Sequence, residues 1–161
     1  MIEVIREREI PGTPEDLWPL VSDAARLADW FEFADDVEVI EGDPGVGQRR
    51  CMHGSWGKKR SEIDQIVVTW QPPRRLAWEH EAERLDGRPA PRFAAETHFA
   101  IDLEPAPETT GAALVRLTSR QVPASAARGI VIRLFGSRQV AGKLRVSLDR
   151  LAQVAGRAGG A

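Results

Sequence analysis

The chain has 161 residues, a formal net charge of −2, 29% charged residues and 42% hydrophobic ones. One domain of that size buries about 70% of the surface its unfolded chain exposes, and the near-neutral balance leaves no electrostatic footprint for nucleic acid. The single cysteine, Cys51, excludes an internal disulfide and a thiolate metal cluster, and no run approaches transmembrane length.

The N-terminus alternates charges and lacks an apolar signal core, so the cytoplasm is the default compartment and no membrane insertion is expected. Ile2 to Ile10 reads as a first strand, broken by Pro11 and Gly12. Thr13-Pro14-Glu15-Asp16 is a helix start, with Thr13 as cap, Pro14 at the first position and acids in the first turn. Pro19 removes one backbone donor, which predicts a short or kinked helix. A second short helix is expected from an Asp23 cap, carrying Leu27, Trp30 and Phe31.

The period then changes to that of strands. Asp36–Glu41, Gln48–His53, Lys59–Gln71, Arg75–Arg84, Phe93–Leu103 and Ala112–Val122 are the expected strands, with turns rich in Gly and Pro between them. Consecutive strands with short connections argue for an antiparallel meander. The glycine turn Gly42–Gly47 leads into a strand and lacks a following Lys-Ser/Thr, so it offers no phosphate loop. From Pro123 to Ala155 the pattern is helical. Ile130, Leu134, Ala141, Leu144, Leu148 and Leu151 form one apolar stripe, Ser125 is a cap, and Gly156 ends the helix. Gly129, Gly136 and Gly142 inside it predict either close backbone approach or a bend. The Ala/Gly-rich residues 156–161 read as a disordered tail.

One strand, two short helices, six strands and a long helix form an order that resembles the START-like, helix-grip (SRPBCC) superfamily. That superfamily includes the birch-pollen-allergen fold and the polyketide cyclase/dehydrase and lipid-transport proteins. The local similarity lies in Thr13-Pro14-Glu15-Asp16-Leu17-Trp18, in Gly45-Val46-Gly47-Gln48-Arg49-Arg50, and in the turn from Trp70 to Trp78. The resemblance implies an α+β fold over residues 1–155. A curved seven-stranded antiparallel sheet would wrap around the C-terminal helix, with two short helices after strand one.

Strand parity sorts the polar residues. His80 shares a face with Leu76, Trp78 and Ala82 and is expected inward; His98 shares the outer face with Glu96 and Asp102. His53 shares a face with Cys51, which leaves both orientations open. Thr97, Phe99, Ser119 and Gln121 join Trp78 on the expected inner faces, and Gln65 does so if Gln65, Val67 and Thr69 rather than Ile66, Val68 and Trp70 take the inner face of their strand. An apolar lining with a few polar groups has the composition of a ligand pocket, and a solid core with satisfied polar groups has it too. In a meander, Trp56, the segment before Phe93 and the Val122–Ser125 junction share one end of the sheet, near Trp30. These aromatics either seal the core or rim a mouth.

The resemblance implies a small, largely apolar, lipid- or polyketide-like ligand between sheet and helix, with cyclisation or dehydration as the chemistry of an enzyme. His80 is the first acid–base candidate and His53 the second. Arg133 would polarise a carbonyl if the helix turns it inward. A non-catalytic carrier or sensor, and a protein-interaction module using the aromatic rim, are the alternatives. No metal or cofactor is implied, and the oligomeric state is left open.

Overall fold

Pro11 and Gly12 stop strand β1 (Ile2–Pro11), and Thr13 starts helix α1 (Pro14–Ser22). The Thr13 hydroxyl accepts from the Asp16 amide while the Asp16 carboxylate accepts from the Thr13 amide, a reciprocal capping box. This computed structural model describes residues 1–159. Asp23 caps helix α2 (Ala24–Leu27), which is a single turn, so Trp30 and Phe31 lie beyond its end rather than on it.

Strands β2 (Asp36–Glu41), β3 (Arg49–Trp56), β4 (Lys59–Gln71), β5 (Arg75–Leu85), the two-residue β6 (Arg88–Pro89), β7 (Ala94–Pro105) and β8 (Ala112–Pro123) complete one antiparallel sheet. Its order is β1-β8-β7-β5-β4-β3-β2, with β6 paired to β5. The short β6 adds an eighth strand within the loop expected around Asp86–Pro91, and β3 runs on through Gly54–Trp56 instead of turning there.

Two bulges reset the parity. The ladder skips Val68 on β4 and Glu81 on β5. Each bulge exchanges the faces of the residues beyond it. Trp70 therefore joins the inner face, where its ring meets Trp18 edge-on at 5.3 Å, and Thr69 turns to the outer face. On β5, Glu83 rather than Ala82 comes to share the face of His80.

After β8 the chain enters one continuous helical segment: α3 (Ala126–Val131), a π turn (Ile132–Gly136) and α4 (Ser137–Gly159). Ser125 caps it as expected, accepting from the Arg128 amide. The segment continues past Gly156 to Gly159, so the first part of the expected tail is helical; Gly160 and Ala161 lie outside the described residues. The π turn inserts one residue and rotates the helix phase. Leu144, Leu148 and Leu151 are buried as the stripe requires, whereas Ile130 and Leu134 are 60% and 54% exposed. Ile132 turns inward instead. Of the three internal glycines, Gly129 is in close approach. A Cβ there would meet the Pro123 ring at 3.2 Å, while nothing lies within 4 Å at Gly142.

The core fills the concave side. Phe31 contacts Trp30, Phe33, Trp78 and Phe99 with centroids 4.9–5.9 Å apart, mostly edge-to-face. Arg50 is sealed among these elements at 2% exposure, donating to the Gln48 side chain and the Ser22 carbonyl. Burial lowers its pKa to about 10.

Gly54 is required by close approach, because a Cβ would stand 2.8 Å from the Phe33 carbonyl oxygen. Gly54→Ala is expected to cost about 1–3 kcal/mol in urea denaturation. Gly142→Ala, in open space within a helix, should stabilise by about 0.5–1 kcal/mol.

Candidate functional site

The inner face of β5 and the ends of β7 and β8 form one wall of a cavity of about 420 Å³. The Pro89–Ala95 segment forms its side, and the helical segment around the π turn closes it through Val131, Ile132, Phe135, Gln139 and Val140. The rotated helix phase builds that wall: it brings Ile132 inward and leaves the side chain of Phe135, 70% exposed, at the edge. At the rim, Trp56 and Phe93 have ring centroids 6.4 Å apart, and the Arg128 guanidinium lies over Phe93 at 5.9 Å. The Arg128 side chain also donates to the Arg92 carbonyl, which ties the helix start to the segment before β7.

His80 is the chemical centre of this wall. Its ring stacks on Phe99, with centroids 5.6 Å apart, and its Nδ1 lies 2.9 Å from the Glu83 carboxylate. An ionised carboxylate only accepts, so this bond places a proton on Nδ1, and the neutral tautomer then carries its lone pair on Nε2. Nε2 is buried and has no hydrogen-bond partner. The bond from His80 holds the Glu83 carboxyl below its ordinary range, against the opposing effect of burial. The pair exists because of the bulge at Glu81, which carries Glu83 onto the inner face.

The expected residues separate into three groups. His80, Thr97, Gln121 and Trp56 line the cavity, with Thr97 and Gln121 directly opposite one another on β7 and β8. Gln65, Trp78, Phe99 and Ser119 point inward but are buried in the packed core away from the cavity lining. Trp30 joins them in the core, its indole donating to the Leu20 carbonyl at 3.0 Å, and it takes no part in the rim. Arg133 is exposed, since the π turn directs Ile132 inward in its place.

His53 is the clearest correction. It pairs across the ladder with Glu62 and approaches Glu38, on the face opposite to Met52 and the core. It is separated from the cavity by the sheet. Glu83, Phe135 and Gln139 were not identified from the sequence. What hid them are the β5 bulge, which has neither Gly nor Pro at Glu81, and the π turn, for which Gly136 marked only an irregularity and not its change of phase.

The depressed Glu83 carboxyl gives a pH signature. A folded-state pKa below the unfolded value contributes stability that is complete above the ordinary glutamate value of about 4.3. That contribution is lost as pH falls through the lower folded value. Glu83→Gln should therefore remove part of the stability loss below about pH 4.3, read from thermal melting across an acid series.

The same architecture recurs in solved structures. A protein from Thermus thermophilus superposes with a TM-score of 0.74 at 18% identity, covering 98% of this chain and 99% of that one. XoxI from Bacillus cereus gives 0.70 at 19% identity, covering 96% and 95%. Ara h 8.0201 gives 0.71 at 14% identity, covering 96% and 97%. These superpositions show a shared fold. No curated protein matches the sequence. Among the described residues, no helix is long and apolar enough to cross a membrane. The family model for polyketide cyclase / dehydrase and lipid transport matches residues 1–156, and with its helix-grip architecture the chain belongs to that family.

Proposed function

We propose that the cavity binds a small, largely apolar molecule bearing an acidic O–H or C–H bond, and that His80 accepts that proton. The observation that carries this reading is the His80–Glu83 pair at 2.9 Å beside the cavity, with Nε2 lacking a partner. The Nε2 lone pair takes the proton from the ligand, which is left as an enolate or phenolate. The resulting imidazolium is held by Glu83, whose negative charge favours it. Thr97, Gln121 and Gln139 add neutral polar groups to a lining that carries Glu81, Glu83 and Arg92 beside its apolar residues. Proton abstraction of this kind is the first step of cyclisation and dehydration of polyketide-like compounds.

A matched pair of probes tests the reading without knowledge of the natural ligand. 2-Naphthol should bind in the micromolar range and about tenfold tighter than 2-methoxynaphthalene, the worth of one neutral hydrogen bond. His80→Leu should abolish that preference while both probes still bind. Equal affinity of the native protein for the two probes would remove His80 from the site.

The rim favours a second reading, a carrier that exchanges an apolar ligand with an anionic lipid surface. Ile130, Val131, Leu134 and Phe135 are 43–70% exposed on one stretch of helix. Residues 126–148 contain Arg128, Arg133, Arg138, Lys143 and Arg145 and no acid. Apolar side chains interspersed with cations suit an anionic interface, whereas self-association through this stretch would bring like charges together. The protein should co-sediment with phosphatidylglycerol-containing vesicles at low salt and dissociate as salt rises. Phe135→Asp should weaken that binding, and absence of native binding at low salt would exclude this reading.

A further inference from the structure

On the face of the sheet opposite the cavity, β2, β3 and β4 set two rows of donors side by side. Cys51 stands between Glu38 and Asp64, and His53 stands between Asp36 and Glu62. Cys51 and His53 are two residues apart on β3, so they share a face. One donor atom each from Cys51, His53 and Glu62 lies within 4.8 Å of the other two. A second carboxylate, from Glu38, approaches the His53 Nε2 at 3.4 Å.

We propose that this outer-face cluster binds one divalent cation of the zinc class through the Cys51 sulfur, the His53 imidazole and the Glu62 carboxylate, with Glu38 in reach as a fourth donor. The donor set of one thiolate, one imidazole and carboxylates suits a borderline-soft ion rather than calcium or magnesium. Zinc–sulfur and zinc–nitrogen bonds of about 2.3 and 2.0 Å set neighbouring donors of a tetrahedron roughly 3.3–3.8 Å apart. The present separations need to close by about an ångström, within reach of side-chain rotation for His53 and Glu62, which are partly exposed. A single cysteine thus suffices, because the other donors are not thiolates.

Arg84 now serves the cluster as its cation. It grips Asp64 with both terminal nitrogens at 2.7 and 2.9 Å, and one of them also lies 3.4 Å from Glu62 and 3.9 Å from the Cys51 sulfur. Metal binding would keep the Asp64 contact and displace the guanidinium from Glu62 and the sulfur. Coordination takes the Cys51 sulfur as thiolate, so its proton leaves to solvent when the metal binds. Affinity should accordingly rise with pH. Such an ion would tie the edge strand β2 to β3 and β4. The site is independent of the cavity, from which the sheet separates it.

Cobalt(II) titration of the full chain tests this. One equivalent should bind, with a thiolate-to-cobalt charge-transfer band in the near ultraviolet. Cys51→Ser should lose the band, and His53→Gln should weaken binding at least tenfold. Arg84→Gln should bind more tightly than the native protein, an effect that non-specific surface coordination would not produce. His80→Gln, across the sheet, should keep the band. His53 is partly exposed, so its variant tests the site even if the Cys51 change impairs folding. No charge-transfer band in the native protein, or equal affinity of native and His53→Gln, would overturn the proposal.

Discussion

Around Glu81 the pairing of β4 with β5 skips one position, and the side chains beyond it exchange faces. Before the skip, Leu76, Trp78 and His80 face inward in strict alternation; after it, Glu83 does. An unbroken strand would have set Ala82 beside His80 and sent the carboxylate to solvent. The imidazole would then have lost the Glu83 carboxylate as its hydrogen-bond partner. The same exchange carries Arg84 outward, where it reaches Asp64 and Glu62. One inserted residue therefore supplies both the acidic partner of the cavity histidine and the resident cation of the opposite face.

Much of the architecture was legible because it rests on strong local chemistry. The capping box at Thr13, the caps at Asp23 and Ser125, and the alternation along β7 and β8 are written in residue types whose preferences are steep. Thr97, Phe99, Ile101 and Leu103 are buried as their period requires. What was hidden has a common physical origin. A β-bulge and a π turn each add one residue and shift the phase of everything beyond it; the bulge carries no compositional mark, and Gly136 in the π turn signals an irregularity without its direction. Parity therefore placed His80 correctly and missed Glu83. Helical spacing placed Leu144 and Leu148 correctly and put Leu134 in a core from which it is excluded.

Trp30, Trp78 and Phe99 illustrate a different limit. The inward orientation of Trp78 and Phe99 was readable and Trp30 was placed at the end of the sheet, but whether such an aromatic meets a ligand or another ring depends on volume across the sheet. Here Phe31 fills that space, in edge-to-face contact with all three. The packed aromatic cluster and the cavity occupy neighbouring parts of one concave surface, and no local pattern marks the boundary between them.

The long C-terminal helix is two mechanical segments joined at Ile132–Gly136. Beyond the π turn, α4 buries Leu144, Leu148, Leu151 and Ala155 and pairs its Asp149 with Arg8 of β1. Before it, α3 is held by its Ser125 cap, by Gly129 against Pro123 and by Arg128 on the Arg92 carbonyl, with its large apolar side chains facing solvent. Opening free energies along a helix follow the burial that opposes them. Amide exchange should thus divide within one helix, with α3 opening at low free energy while α4 exchanges with the sheet as part of the global unit. The helical wall of the cavity straddles that junction, with Val131 on α3, Ile132 and Phe135 on the π turn and Gln139 and Val140 at the start of α4. Local opening of α3 therefore loosens one end of the wall while Leu144, Leu148 and Leu151 stay packed.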